Sequence, residues 1–309
     1  MKWVAVLLTL GWGLETRPVV GILALLNEGD YNITGSTFLN AAYVKWVEMA
    51  GARVVPLIIT QPWDVLQYQV EHLNGVLFTG GAKNFLNADG TLSFYAQTTC
   101  AIFNLVKSLN DQGTYYPIWG TCLGFQVMHF CVSPVRKTIQ YMPDTPGHSA
   151  LSVFTASASS SRIFNFLSAP VIKFLMTSDN VTFVSHNAGV PAQAYDTNTK
   201  LKEMYMSLST MKTLHGVEYV GLIEGIKYPF YGSQFHPEVN VFEWWPEREV
   251  PHSLGAIAVS TYFANFFIEE TRKNSNKFDS EEELQKYSIY NWTPHYWNQL
   301  PVQVYLFNH

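Results

Sequence analysis

The 309-residue chain has only three cysteines, no metal-ligand cluster, no phosphate-binding glycine loop, no internal repeat and no run of basic residues. Three thiols (Cys100, Cys122, Cys131) are too few for a dense disulfide framework. At most one bridge forms within the chain, and at least one thiol stays reactive. The missing metal cluster and phosphate loop leave no cofactor to expect, neither metal nor nucleotide. A formal net charge of −5 without a basic patch argues against nucleic acid as a partner. No stretch beyond the first 13 residues is long and apolar enough to span a bilayer. Charged residues are scarce at 14%, whereas apolar residues reach 48%, ample for a core in one large domain or two small ones.

What is present begins with a leader. Lys2 is followed by the short apolar run Trp3 to Leu10 and then by small residues suited to cleavage. This is the shape of a signal peptide, taken here as residues 1–16, with residues 17–309 as one mature domain and no membrane span after its removal. Three Asn-x-Ser/Thr acceptors fit a secretory route: Asn32, Asn180 and Asn291, the last weakened by Pro294. Nine histidines would turn the net charge positive in an acidic compartment, which favours an anionic substrate there.

Past the leader, strands and helices alternate. Val19 to Ala24 reads as a buried strand, and a polar loop from Asn27 to Ser36 follows. Phe38 to Ala50 has helical period, stopped by Gly51. Arg53–Leu57 is a strand, Asp64–His72 a helix, Gly75–Phe78 a strand, and Ser93–Leu109 a helix. The pattern predicts a parallel sheet covered on both faces, with a site at the carboxyl ends of its strands. Ser157 to Ser161 reads as a surface loop. Val220–Gly225 and Phe230–Phe235 read as paired strands, Val259 to Phe267 as a helix whose aromatic stripe is core, and Ser280 as the start of a further helix. The aromatic tail from Tyr287 to Phe307 is expected to pack back over the sheet.

The chemistry centres on Tyr115 to Gln126. A short apolar run turns through Gly120 and Gly124 into a helical segment, with Cys122 between the two glycines. A buried cysteine is commonly just a small hydrophobe. Glycines at minus two and plus two instead suggest a nucleophile elbow, where the helix N-terminus favours thiolate. Gly80-Gly81 ends the neighbouring strand, either as a plain tight turn or as a source of backbone N–H for an oxyanion. His236-Pro237-Glu238 ends a later strand. Pro237 stops that strand, and Glu238 can fold back onto the imidazole. Thiol, imidazole and carboxylate together suit acyl transfer through cysteine. His186, at another strand end, reads on its own more as structural than functional.

Trp119-Gly120-Thr121-Cys122-Leu123-Gly124-Phe125 together with Tyr231-Gly232-Ser233-Gln234-Phe235-His236-Pro237-Glu238 resembles the class I glutamine amidotransferase superfamily. Within it the chain looks like the gamma-glutamyl hydrolase family. Ala41 to Lys45, Ala50 to Pro56, Glu224 to Pro229 and Phe242-Glu243-Trp244 extend the likeness from Pro18 to the tail. The resemblance implies a flavodoxin-like three-layer α/β/α sandwich with a mostly parallel central sheet. It implies Cys122 as nucleophile, His236 as general acid/base and Glu238 as the group orienting it. It also implies oxyanion donors at Gly81 and Leu123 beside Gly80, substrate-site positions at Tyr43 and His186, folyl poly-γ-glutamate as substrate, a homodimer, and residence in the lysosome or outside the cell. The chain departs from the family at Ala24-Leu25-Leu26, where a glutamine is usual, and at Thr79, where a proline is usual. Gln126 stands where an acidic residue is expected, and Ser157 to Ser161 is poorer in ring and basic residues. Two other readings remain at this level: a glutaminase feeding ammonia to a synthetase, and a γ-glutamyl binder with weakened catalysis.

Overall fold

The computed structural model describes residues 14–28, 35–134, 138–142, 147–245, 247–297 and 301–308. The expected leader up to residue 13, and the Asn32 sequon with most of its loop, lie outside them.

Strand β1 (Val19–Leu26) is aliphatic on both faces, as a central parallel strand must be. It pairs in parallel with β3 (Arg53–Ile58) on one side and β4 (Gly75–Phe78) on the other. Next to β4 runs β5 (Ile118–Thr121), then the strand Phe230–Ser233, both parallel. Beyond these the sheet turns antiparallel through Glu218–Gly225 and Tyr205–Lys212. Among the described residues the sheet has 11 strands.

Two layers of helix cover it. Val20, Ile22 and Ala24 point to one face, where they join Trp46, Trp119, Phe263 and Phe267 from α1 (Ala41–Met49), β5 and the helix Leu254–Thr271. Val19, Leu23 and Leu25 point to the other, toward residues of α2 (Trp63–His72), α3 (Phe94–Asp111) and α4 (Leu123–Val132). The two-residue period of the strand divides the core in this way. The Trp46 and Trp119 rings lie 5.6 Å apart, and Trp119 stands 5.8 Å from Phe263. The aromatic stripe of the long helix is core, as its spacing predicts. The result is the α/β sandwich expected, with its parallel strands in the middle.

Three expectations need correction. The helix expected from Phe38 begins only at Ala41, because Thr37–Asn40 is a strand, β2, that pairs antiparallel with the end of β1. Asn40 then caps α1, its side-chain oxygen accepting the Ala42 N–H at 2.8 Å. The aromatic tail does not lie over the sheet but extends it: Gln303–Phe307 pairs antiparallel with Thr37–Asn40. Its backbone groups thereby find partners that a packed-over coil would lack. Ser157 to Ser161 is not an irregular loop: Ala156–Ser160 is a 3-10 turn followed by Ser161, with Ala158 and Ser161 buried while Ser159 and Ser160 are exposed as a surface segment should be. Among the described residues no helix is long and apolar enough to cross a membrane.

Candidate active site

β4, β5 and Phe230–Ser233 are adjacent and parallel, so their carboxyl ends come together. They deliver Gly80-Gly81, Cys122 and His236. The turn after β5 is sharp. Cys122 has φ 51° and ψ −104°, a left-handed conformation that costs a non-glycine residue roughly 1–3 kcal/mol. Its N–H donates to Ser233 O at 2.8 Å, and it serves as N-cap of α4. Gly124 permits this approach, since a Cβ there would lie 2.1 Å from Phe78 O, a backbone atom that cannot yield. The next strand over is therefore in direct contact with the elbow.

Cys122 is buried, and its Sγ lies 3.9 Å from Ser185 O, a weak thiol contact. His236 Nδ1 donates to Glu238 Oε1 at 2.7 Å. Glu238 is 1% exposed and, two residues on, folds back onto the imidazole as the sequence spacing suggested. Burial pulls the imidazole toward neutrality, but Glu238 and then Cys122 outweigh it and hold its pKa well above the usual histidine range. Among the described residues His236 Nε2 and Glu238 Oε2 make no hydrogen bond. The nitrogen that would exchange a proton with sulfur and substrate in the expected chemistry is thus not committed to another hydrogen bond among the described residues.

Tyr43 closes the constellation from α1. Its hydroxyl oxygen accepts the Gly80 N–H at 2.7 Å. Burial foremost, then the charges of Glu238 and Cys122, push the phenol well above its ordinary pKa, so it stays neutral. A Cβ on Gly80 would meet both the Tyr43 hydroxyl and His236 Cε1 at 2.7 Å. Because Tyr43 engages the Gly80 amide, Gly81 is left as the candidate oxyanion donor of the pair. Leu123 is the first residue of α4, where no carbonyl of the same helix can accept its N–H.

Two cavities meet at the sulfur. One, of about 250 Å³, is lined by Tyr43, Gly80, Gly81, Cys122, His236 and Glu238, with Phe38, Phe183 and Pro301 among its apolar walls. The other, of about 480 Å³, is lined by Gly81, Cys122, Leu123 and His186 together with Lys83 and Gln126. The seven other expected site residues (His236, Glu238, Gly80, Gly81, Leu123, Tyr43 and His186) thus line cavities that Cys122 also lines. His186 is buried and packs edge-on against Tyr219 with ring centroids 4.8 Å apart. Gln126 donates to Ala188 O at 2.7 Å and to Gln234 Oε1 at 3.1 Å. The sequons lie elsewhere: Asn180 and Asn291 are exposed and line neither cavity. Asn291 already donates its side-chain amide to Gln285 O and Lys286 O at 2.7 and 2.9 Å.

Two site residues carried no role in the sequence reading. Glu243 is buried behind Glu238, where its Oε2 accepts the Val302 N–H at 2.7 Å. Burial raises its pKa to about 7, against the lowering effect of Val302 and Asn40. Phe242-Glu243-Trp244 stood in the family resemblance, but nothing local marked the glutamate as buried. Lys83 follows Gly81 by two residues, with a side chain only 4% exposed and its Nζ 3.1 Å from Glu28 Oε2. Its only signal was that short distance from the glycine pair.

A parallel sheet with a cysteine elbow and a His–Glu pair at adjacent strand ends defines an α/β protein with a candidate cysteine-nucleophile site. A Trypanosoma brucei CTPS glutaminase domain with bound acivicin shares the fold, with a TM-score of 0.54 at 16% identity over 84% of this chain and 95% of that one. Within that class the chain belongs to the Peptidase C26 family, whose profile matches residues 18–238. It is 35% identical to gamma-glutamyl hydrolase B of Dictyostelium discoideum, over 96% of this chain and 84% of the relative. It is 34% identical to gamma-glutamyl hydrolase 2 of Arabidopsis thaliana, over 95% and 84% of the two chains. With the gamma-glutamyl hydrolase of Homo sapiens it shares 32% identity, over 94% and 90%.

Proposed function

We propose that this chain hydrolyses the γ-glutamyl amide bonds of folyl poly-γ-glutamate through a thioester on Cys122. The observation that carries the reading is the strained cysteine elbow beside a buried His236–Glu238 pair held at 2.7 Å. In the first half-reaction the proton of the Cys122–His236 pair rests on Nε2, where the raised imidazole pKa holds it, as sulfur attacks the γ-carbonyl carbon. The negative charge that develops on oxygen is met by the N–H groups of Gly81 and Leu123. The imidazolium then gives its proton to the departing amine, the C–N bond breaks, and the acyl group stays on sulfur. In the second half-reaction water loses a proton to His236 and attacks the thioester carbon. The C–S bond breaks and the thiol is regenerated. Glu238 holds Nδ1–H throughout, which fixes the tautomer and stabilises the imidazolium.

The test is product analysis of a polyglutamylated folate with wild-type protein and Cys122→Ala, at acid and neutral pH. Shortened tails from the wild type and a loss of at least about 10³-fold in the variant are expected. Undiminished turnover by Cys122→Ala would refute the mechanism.

The proposal extends to the life of the protein. Residues 1–16 act as a secretory leader, residues 17–309 form one domain, and the protein resides in the lysosome or outside the cell as a homodimer. The Cys100–Cys131 disulfide supports an oxidising route. Asn180 is the favoured glycosylation site of the two described, because its side chain is exposed and, among the described residues, makes no carbonyl contacts like those that hold Asn291.

A further inference from the structure

We infer that Glu243 is a positioning residue, holding Pro301 in the wall of the subsite that takes the leaving amine. Its effect is that the chain prefers γ-glutamyl amides of an amino acid over the simple amide. This inference rests on the proposed γ-glutamyl hydrolysis and gives that site its leaving-group preference. At the tetrahedral centre formed on Cys122, the leaving nitrogen must lie within reach of the group that protonates it. His236 lines the cavity of about 250 Å³ and not the larger one. The leaving amine therefore departs through the smaller cavity, whose apolar walls are Phe38, Phe183, Val239 and Pro301. A reaction that releases only ammonia needs no such walls, because ammonia has no apolar surface to bury.

Pro301 is fixed through the two residues that follow it. The Val302 N–H donates to Glu243 Oε2 at 2.7 Å, and Gln303 Oε1 accepts from Lys45 Nζ at 2.5 Å. The same ammonium stands 5.9 Å from the ring centroid of Phe242, the neighbour of Glu243. Val302 O accepts the Trp297 N–H at 2.8 Å. Pairing of the tail with β2 starts only at Val304, opposite Asn40, so that ladder does not depend on Glu243. A buried carboxyl is a costly acceptor for one backbone N–H, and Glu243 is 1% exposed. What its bond fixes is the stretch that carries the cavity wall. Phe38, a second wall, lies on β2 itself. The antiparallel edge of the sheet thus supplies two walls of the subsite, and Glu243 ties one of them to the chain just beyond Glu238.

γ-Glutamyl-glutamate and glutamine test the assignment, since they share the acyl group and differ in the leaving amine, glutamate against ammonia. Wild-type kcat/KM should favour the dipeptide by about 10-fold or more, the effect of roughly two methylenes buried against an apolar wall. Glu243→Ala should erase most of that preference through a higher KM for the dipeptide, with a much smaller change for glutamine. Glu243→Gln keeps an oxygen for the Val302 N–H and should retain the preference. Pro301→Gly leaves Glu243 in place but removes the wall, and should lose the preference even where Glu243→Ala does not fold. The same comparison is made by equilibrium binding to Cys122→Ala protein, which needs no turnover. Equal handling of the two substrates by the wild type overturns the assignment. So does an undiminished preference in Glu243→Ala or Pro301→Gly, or an equal fall for both substrates, which marks a merely structural role. Absence of cleavage combined with selective binding of the dipeptide, removed when Glu243→Ala is added, would sink the hydrolase reading and leave the assignment standing.

Discussion

At the scale of single residues, the site depends on two that are held against their ordinary preferences. Cys122 is one of only two non-glycine residues with positive φ among those described, and the other, Ser168, merely precedes a helix. His236 is buried, yet its pKa stands well above 6.5 because Glu238 and Cys122 outweigh desolvation. Replacing Glu238 by Gln keeps the shape and removes the larger of those two supports. Burial should then prevail and the imidazole pKa should fall, as followed by NMR titration of its ring protons. The same change should lower kcat by about 10²- to 10⁴-fold through loss of the tautomer lock. An unchanged imidazole pKa in Glu238→Gln would show that the carboxylate does not govern it.

At the scale of elements, Cys100 on α3 and the half-buried Cys131 on α4 are joined, so the helix that starts at the nucleophile is tied to its neighbour near its far end. The bridge spans 31 residues. A loop of that size is worth roughly 2–4 kcal/mol. Mild reduction, or the double change Cys100→Ala with Cys131→Ala, should lower stability to denaturant by that amount while leaving the free Cys122 thiol titratable. No loss on reduction would mean that packing alone holds the two helices together. The sequence could say only that one bridge at most was available, since three cysteines leave three pairings open. Elements with strong local signals, such as β1 and the helix Leu254–Thr271, were legible from period alone. Thr37–Asn40 was not, because four residues of mixed character become a strand only through partners at Leu25–Leu26 and Phe38's opposite neighbour Leu306. The same long-range pairing made the tail a strand.

At the scale of the whole molecule, pH links folding to the site. The folded-state pKa of Glu243 is raised to about 7, above the ordinary glutamate value of 4.5. Between those values the folded state binds more protons, so the contribution of this group to stability falls as pH rises from about 4.5 to about 7. His236, also raised, adds stability that is full below about 6.5 and is lost as pH climbs through its folded pKa. His129 acts in the opposite sense: burial lowers its pKa to about 4, so its contribution is present above 6.5 and lost on acidification. The variant Glu243→Gln isolates the first effect. Relative to the wild type it should gain on the order of 1–3 kcal/mol on going from pH 5 to pH 8, read from denaturant unfolding at each pH. A constant difference across that range would show that Glu243 does not titrate there. The candidate catalytic set was legible because its parts are short motifs at strand ends. Glu243 and Lys83 were not, because burial and cavity walls arise only when distant segments meet.

The central claim is a covalent one, that substrate carbon becomes bonded to Cys122. Acid quench of the protein within its first turnovers on a γ-glutamyl substrate, followed by mass spectrometry of the intact chain and its peptides, tests this directly. The account predicts a mass increase equal to the acyl portion, located on the peptide bearing Cys122, labile to hydroxylamine as a thioester is, and absent in Cys122→Ala. Product formation with no adduct on that peptide, and undiminished in the variant, would contradict it.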